Sequence, residues 1–377
     1  MVSKKLAIGV RALISLLLLL SILQLLLSTS GFLVATAILA IGIDSDLAPF
    51  IALIMASGLT VLSICVHEGG HFLGAKWSRM TVLAVRILAV EILLLQRGCR
   101  IRWSPRLKRS NVGGYVIAVS SPYRPMRRQR MVMTAMGPIL NLFVGGLCIA
   151  AGLLSQDNIR MFALAFGVSN VAMGIANLIP TYRGAASDGG QLAAWAFIND
   201  ERIPQLAEAR LMALSVSGVS SEQLPPDDIE QLSSEPMPAP LLAVWYRLNI
   251  RQSQGDWFGA VRQGETLNGL LKTSSQSLAP VAILIAILQV ELGFSRAMLL
   301  RKADQMRDDL LSDEIDWYCP ALRPRCLALR EILKGNLSAA EQYLDQSMKF
   351  ARNARDLSLI KSELKLATYV RDLGSEA

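Results

Sequence analysis

The chain contains only two histidines, and both lie in His67-Glu68-Gly69-Gly70-His71. On a helix, positions i and i+4 share one face, so two imidazoles at this spacing can hold one Zn²⁺. Glu68, one residue round, can act as general base on a water bound there. The competing reading is a pair of polar residues at a helix end, hydrogen-bonded to their neighbours. Ionisable side chains inside an apolar span are costly and mark function, which favours the metal. Gly69 and Gly70 cost about 1 kcal/mol each relative to Ala in mid-helix, a choice that makes sense where something must approach the backbone closely.

A catalytic zinc needs a third protein ligand and an open position. No histidine remains, and the five cysteines are scattered without a CxxC pair, as reduced thiols would be. The third ligand is therefore expected to be a carboxylate. The first 192 residues offer Asp44, Asp46, Glu91, Asp157 and Asp188 besides Glu68. Asp188 follows Asn177-Leu178-Ile179-Pro180, where proline ends a helix, and precedes Gly189-Gly190. Elimination favours it as ligand. The alternative is a plain N-cap for a helix over 189–198.

The elements that must position these residues are apolar. Of the 377 residues 52% are hydrophobic and 18% charged, and nearly all the long apolar runs fall in 1–192. Spans of about 20 residues are predicted at Leu6–Ser28, Leu47–Trp77, Met131–Leu154 and Met161–Ile179. Gly31–Ile43, too short to cross easily, reads as an interfacial or re-entrant piece, or as a fifth, short span. The first run lacks a small-residue cleavage site and is read as uncleaved.

Residues 1–192 carry 18 Lys+Arg against 6 Asp+Glu, a net of +12, and residues 193–377 carry 20 against 24, a net of −4. Thirteen of the 18 lie between Lys76 and Arg130. Between two apolar spans such an excess marks the cytoplasmic side rather than a nucleic-acid surface. His67 then lies near the cytoplasmic boundary, about 30 Å along the helix from Leu47. Within the basic stretch, Thr81–Leu95 and Gly113–Val119 are rich in Val, Ile and Leu and are predicted as strands. Strands at membrane depth must be buried in protein or line a wet cavity.

After Gln191 the sequence becomes amphipathic helix, with 219–240 reading as a linker. Residues 241–377 read as an all-α cytoplasmic domain in which Gly255, Gly293 and Gly335 mark turns between paired helices, each followed by a small Ala. This resembles a divergent tetratricopeptide-type repeat; a generic helical bundle is the alternative. The fold class is thus mainly α: a polytopic bundle of four or five spans, a short β-segment after the first motif, and a soluble helical half.

His67-Glu68-Gly69-Gly70-His71, then Ala135-Met136-Gly137-Pro138-Ile139-Leu140-Asn141, then Asn177-Leu178-Ile179-Pro180 with Asp188-Gly189, resembles the site-2 protease family of intramembrane zinc metalloproteases. The likeness covers about residues 45–195. It implies His67, His71 and Asp188 as zinc ligands, Glu68 as catalytic base, and Asn177 near the substrate or reaction intermediate. It also implies a small membrane-side sheet able to pair with an unwound substrate. The eight residues from Pro180 to Asp188 are a longer interval than the family's commoner one. Gly137-Pro138 and Asn141 also read as close helix packing and a cross-helix hydrogen bond.

The expected function is hydrolysis of peptide bonds in membrane-spanning or membrane-anchored substrates, in a multi-pass protein of a plasma or inner membrane. The helical half would recruit or position a protein partner. The alternative is a proteolytically inactive membrane scaffold that binds proteins through its helical domain. A transporter would show more spans and paired halves.

Overall fold

The computed structural model describes residues 2–105, 113–156, 159–181, 186–198, 203, 206–274, 277–306 and 308–375. Asp157 and the 182–185 part of the insertion before Asp188 lie outside them. The chain divides into two units, one of residues 1–94 and 99–201, the other of 95–98 and 202–377.

Four long helices form the frame of the first unit: α1 (Val2–Ile41), α2 (Ala48–Trp77), α3 (Met126–Leu154) and α4 (Ile159–Leu178). Each contains a stretch long and apolar enough to cross a membrane. Leu19, Leu25, Phe50, Ile54, Phe143 and Leu147 are exposed on them, an apolar surface suited to lipid. The chain is an integral membrane protein. Between α3 and α4 the backbones meet at Gly145 and Gly167, where a Cβ on either would come within 2.9 Å of the other's carbonyl oxygen. Such small-residue contacts replace the hydrophobic drive that lipid removes.

The separate piece expected at Gly31–Ile43 is instead the continuation of α1. The Ser-Thr-Ser-Gly run at 28–31 does not break the helix, because hydroxyls there can return to the helix's own carbonyls. Ser28 donates to the Gln24 carbonyl at 2.9 Å, and farther on Thr36 donates to Phe32 at 2.8 Å. Gly31 accommodates Ala172 of α4. Ala35 and Leu39 are buried against Ala52, Ala56 and Leu59 of α2, so this segment packs in the bundle rather than lying at its interface.

Between α2 and α3 lies one antiparallel sheet: β1 (Thr81–Ile87), β2 (Val90–Leu94), β3 (Cys99–Trp103) and β4 (Gly114–Val119), in the order β3-β2-β1-β4. The run Thr81–Leu95, expected to form strand, is a hairpin of two strands, turned at Leu88 with φ +51°. β3 was not expected; its alternation of Arg100 and Arg102 with Cys99, Ile101 and Trp103 leaves the latter three exposed. Arg86 and Glu91, which interrupt the apolar run, stand directly opposite each other. Glu91 is bound by Arg102 at 2.7 Å and accepts from the Tyr115 hydroxyl at 3.2 Å, so this acid serves the sheet. A short helix, α5 (Asp188–Phe197), closes the unit.

The second unit is entirely helical among its described residues: α6 (Ala207–Val216), α7 (Pro226–Ser234), α8 (Ala239–Ser253), α9 (Trp257–Thr273), α10 (Ala282–Leu300), α11 (Asp313–Tyr318), α12 (Leu322–Leu333), α13 (Leu337–Asn353) and α14 (Ser358–Ser375). The stretch 219–240, expected as linker, is folded: Leu224, Ile229 and Leu232 are buried against α6 and α8. Gly255 and Gly335 do make turns, at φ +72° and +80°. Asp256 and Asn336 then cap the following helices, accepting from the Gly259 and Ala339 amides. Ala260 and Ala340 are fully buried. Gly293, however, lies inside α10, packed 3.2 Å (from an added Cβ) from the Gln305 carbonyl, and the helix ends at Arg301 in the left-handed region.

The stretch Ala279–Leu300 is also long and apolar enough to span a membrane. Here Leu288, Phe294, Ala297 and their neighbours are buried among helices of the same unit. Arg325 joins this core, bound to Glu291 and Glu363 at 2.5 Å each and lying 4.9 Å over the Phe294 ring. The second carboxylate oxygens of the two acids accept from Gln252 and Ser347, which pairs charges that would be expensive alone. All five cysteines are free, and burial pushes the Cys319 and Cys326 thiols up to about 12.

Candidate metal centre

His67, Glu68 and His71 lie in the last three turns of α2, all buried. Backbone contact with α3 holds them there. An added Cβ on Gly70 would strike the Met136 carbonyl, and one on Gly74 would come within 3.0 Å of Met133 Cα. Gly70 thus meets the close approach anticipated for it, whereas Gly69 faces open space.

The protonation of both imidazoles follows from their neighbours. Asn141 donates from Nδ2 to the Ser63 carbonyl at 3.0 Å and to Asn170 Oδ1 at 2.8 Å, while Asn170 donates to the Phe166 carbonyl at 2.9 Å. Carbonyls can only accept, so Asn141 presents Oδ1 to His67 Nδ1, 2.6 Å away. His67 must therefore carry its proton on Nδ1. His71 Nδ1 likewise donates to the Met133 carbonyl at 2.9 Å. In the neutral imidazoles both Nε2 atoms then carry a lone pair, and they point at each other across 3.1 Å.

Asp188 meets them from α5. Its Oδ2 lies 2.9 Å from His67 Nε2 and its Oδ1 lies 3.4 Å from His71 Nε2. Ser187, not Asp188, caps α5, accepting from the Gly190 amide, so the carboxylate is released from the capping role. Asp188 Oδ2 is buried, and the imidazole of His67 is the one polar group described against it. Two lone pairs and a carboxylate converging in a buried space repel one another unless a proton or a metal cation lies among them. The donor set fits zinc: a tetrahedral ion with bonds of about 2.0–2.2 Å sets its ligand atoms roughly 3.3 Å apart. His67, His71 and Asp188 can each offer a ligand atom within 4.8 Å of the others.

Glu68 Oε2 is also buried without a hydrogen-bond partner. Its side chain lies over the start of β4, where a Cβ on Gly114 would come within 2.8 Å of Glu68 Cγ and Oε1. Asn177 is half-buried near the end of α4 and donates to the Met173 carbonyl at 3.0 Å. Gly189 packs against the carbonyl of its neighbour Leu178, so α5 begins at that same helix end.

Three contributors were not legible as such. Asn141 orients His67 rather than simply joining helices, Asn170 stood unremarked within an apolar span, and Gly137 makes room for His71. The signal for the asparagines was their polarity in long apolar runs. A Cβ on Gly137 would come within 2.5 Å of His71 Nε2 and 2.9 Å of Nδ1. Gly137→Ala is expected to turn the imidazole away and weaken zinc binding about 10-fold or more, measured by chelator competition; unchanged affinity would dissociate Gly137 from the site.

Residues 55–157, which include both histidines, Glu68, Gly137 and Asn141, match the family model of peptidase family M50. No curated protein and no solved structure matches the chain. Over residues 55–157 the chain is thus similar to peptidase family M50, the site-2 protease family.

Proposed function

We propose that the protein is an intramembrane zinc metalloprotease acting on membrane-spanning or membrane-anchored substrates. One observation carries the reading: two histidines, each tied back through Nδ1, converge through Nε2 with Asp188, beside Glu68, whose Oε2 has no hydrogen-bond partner. His67, His71 and Asp188 would hold the ion. Zinc bound there supplies a Lewis acid that polarises a peptide carbonyl and acidifies water.

Glu68 takes a proton from the attacking water and returns it to the leaving amine. Asn141 and the Met133 carbonyl hold the imidazoles in the tautomer that leaves Nε2 free. β4 is the edge strand beside β1, and its Gly114 end abuts Glu68. An unwound substrate added along this edge would bring its backbone to the carboxylate, with main-chain hydrogen bonds replacing those of the lost helix. We assign Asn177 to contact with the substrate.

The basic stretch supports a cytoplasmic site. With four spans in the first unit and Lys4 and Lys5 favouring a cytoplasmic N-terminus, residues 241–377 would share that side and recruit or position substrate. A proteolytically inactive scaffold has no use for a buried acid beside three converging ligands.

The reading is tested by metal removal. Cleavage of a membrane-spanning substrate in liposomes is expected to stop when a chelator strips zinc and to return on stoichiometric zinc addition. Cleavage that persists in protein shown to be zinc-free would refute it.

A further inference from the structure

The interval from Pro180 to Asp188 is long, yet Asp188 reaches the histidines. The reason lies in residue 187. The Ser187 amide donates to the Thr181 carbonyl at 3.0 Å, and the Thr181 amide donates back to Ser187 Oγ at 3.0 Å. Ser187 Oγ also donates to the Ile179 carbonyl at 2.6 Å and accepts from the Gly190 amide at 3.2 Å. One donor and two acceptor positions are all that a hydroxyl has, and each is used. The chain that leaves at Thr181 is thus clamped against it again at Ser187, the residue adjoining the carboxylate.

The clamp continues into α1. Thr181 is buried, and its Oγ1 donates to Gln24 Oε1 at 2.8 Å. Gln24 interrupts the leucine-rich run Leu16–Leu27 within a stretch apolar enough to span a membrane. An amide there is disfavoured without a partner, and leucine would suit the span. Its one described side-chain contact leads to the loop that carries Asp188.

We propose that Gln24, through Thr181 and Ser187, is a positioning residue for the ligand Asp188, so that α1, which lies outside the family match, helps build the metal centre. This rests on the metalloprotease reading above. The bond from Thr181 anchors the clamp to a long helix, and the clamp sets where the carboxylate stands. Partners bonded directly to a ligand typically change metal affinity by about 10- to 100-fold, and this clamp, which acts through the backbone beside Asp188, is placed at the lower end of that range.

The test uses the full-length protein in detergent or liposomes, loaded with zinc or with cobalt. Gln24→Leu and Thr181→Val are each expected to raise the zinc Kd about 10-fold or more and to shift the visible cobalt absorption bands, while Thr181→Ser restores both. Helix packing alone would leave the cobalt spectrum and the zinc Kd unmoved. Wild-type Kd and spectrum in Gln24→Leu, whose new side chain suits its span, would overturn the inference even if Thr181→Val failed to fold. Wild-type protein that binds zinc through His67 while Gln24→Leu is unaltered would leave the proposed function standing and remove only this assignment. Wild-type protein that binds no zinc would remove both.

Discussion

Replacing His67 or Asp188 by Ala is expected to reduce bound zinc from about one per chain to near none and to abolish cleavage. Each change would remove one of the three proposed ligands. The chain has no histidine beyond His67 and His71, and Glu68, the nearest other acid, lies over the sheet at Gly114. Among the described acids, Glu91 is held by Arg102 and Tyr115. Asp188→Ala is the sharper case, because the sequence alone left open whether this residue merely caps a helix. Ser187 performs that capping, so loss of Asp188 should leave α5 formed and the centre without zinc. Full zinc occupancy in Asp188→Ala would return the residue to a structural role.

Glu68→Gln is expected to keep zinc while slowing cleavage by roughly 10²- to 10⁴-fold, the usual contribution of a positioned acid–base group. Gln has the same shape and fits the space over Gly114, where Glu68 Cγ and Oε1 lie within 2.8 Å of where a Cβ would stand. It cannot take up the proton. Single-turnover cleavage of a membrane-spanning substrate, measured with zinc content on the same preparation, separates this from ligand loss. Undiminished cleavage in zinc-loaded Glu68→Gln would exclude Glu68 as the base.

These two expectations differ because the proposed chemistry of the centre divides between holding a cation and moving a proton. His67 and His71 share the metal-facing side of α2. Glu68, next in sequence to His67, faces the sheet at Gly114 instead. A one-residue step round a helix is enough to give neighbouring residues separate tasks.

Much of this centre was legible because histidine and acids are scarce in the membrane half. Two histidines at i and i+4 left a carboxylate as third ligand, and Asp188 does stand with them. What could not be read were contacts made between helices. Asn141 controls the His67 tautomer only because Ser63 and Asn170 occupy its other face. Gly137 appeared as a packing residue, and it is one, but what it packs against is the His71 ring.

The fold shows the same boundary between local and tertiary signals. Spans were visible from apolar length, and the break suggested at 28–31 failed because side-chain hydroxyls can bond within a helix. β3 escaped notice because Arg100 and Arg102 divide its apolar residues in a short strand that the neighbouring β2 completes. Gly255 and Gly335 each make a turn followed by a capping Asp or Asn. Gly293, followed by Phe294 and Ser295, stays inside α10 and gives close packing.

The central claim is most directly tested by elemental analysis of full-length protein purified without chelator, with His67→Ala in parallel. About one zinc per wild-type chain and almost none in the variant is the predicted result. Wild-type protein free of zinc, or equal zinc in both, would contradict the account.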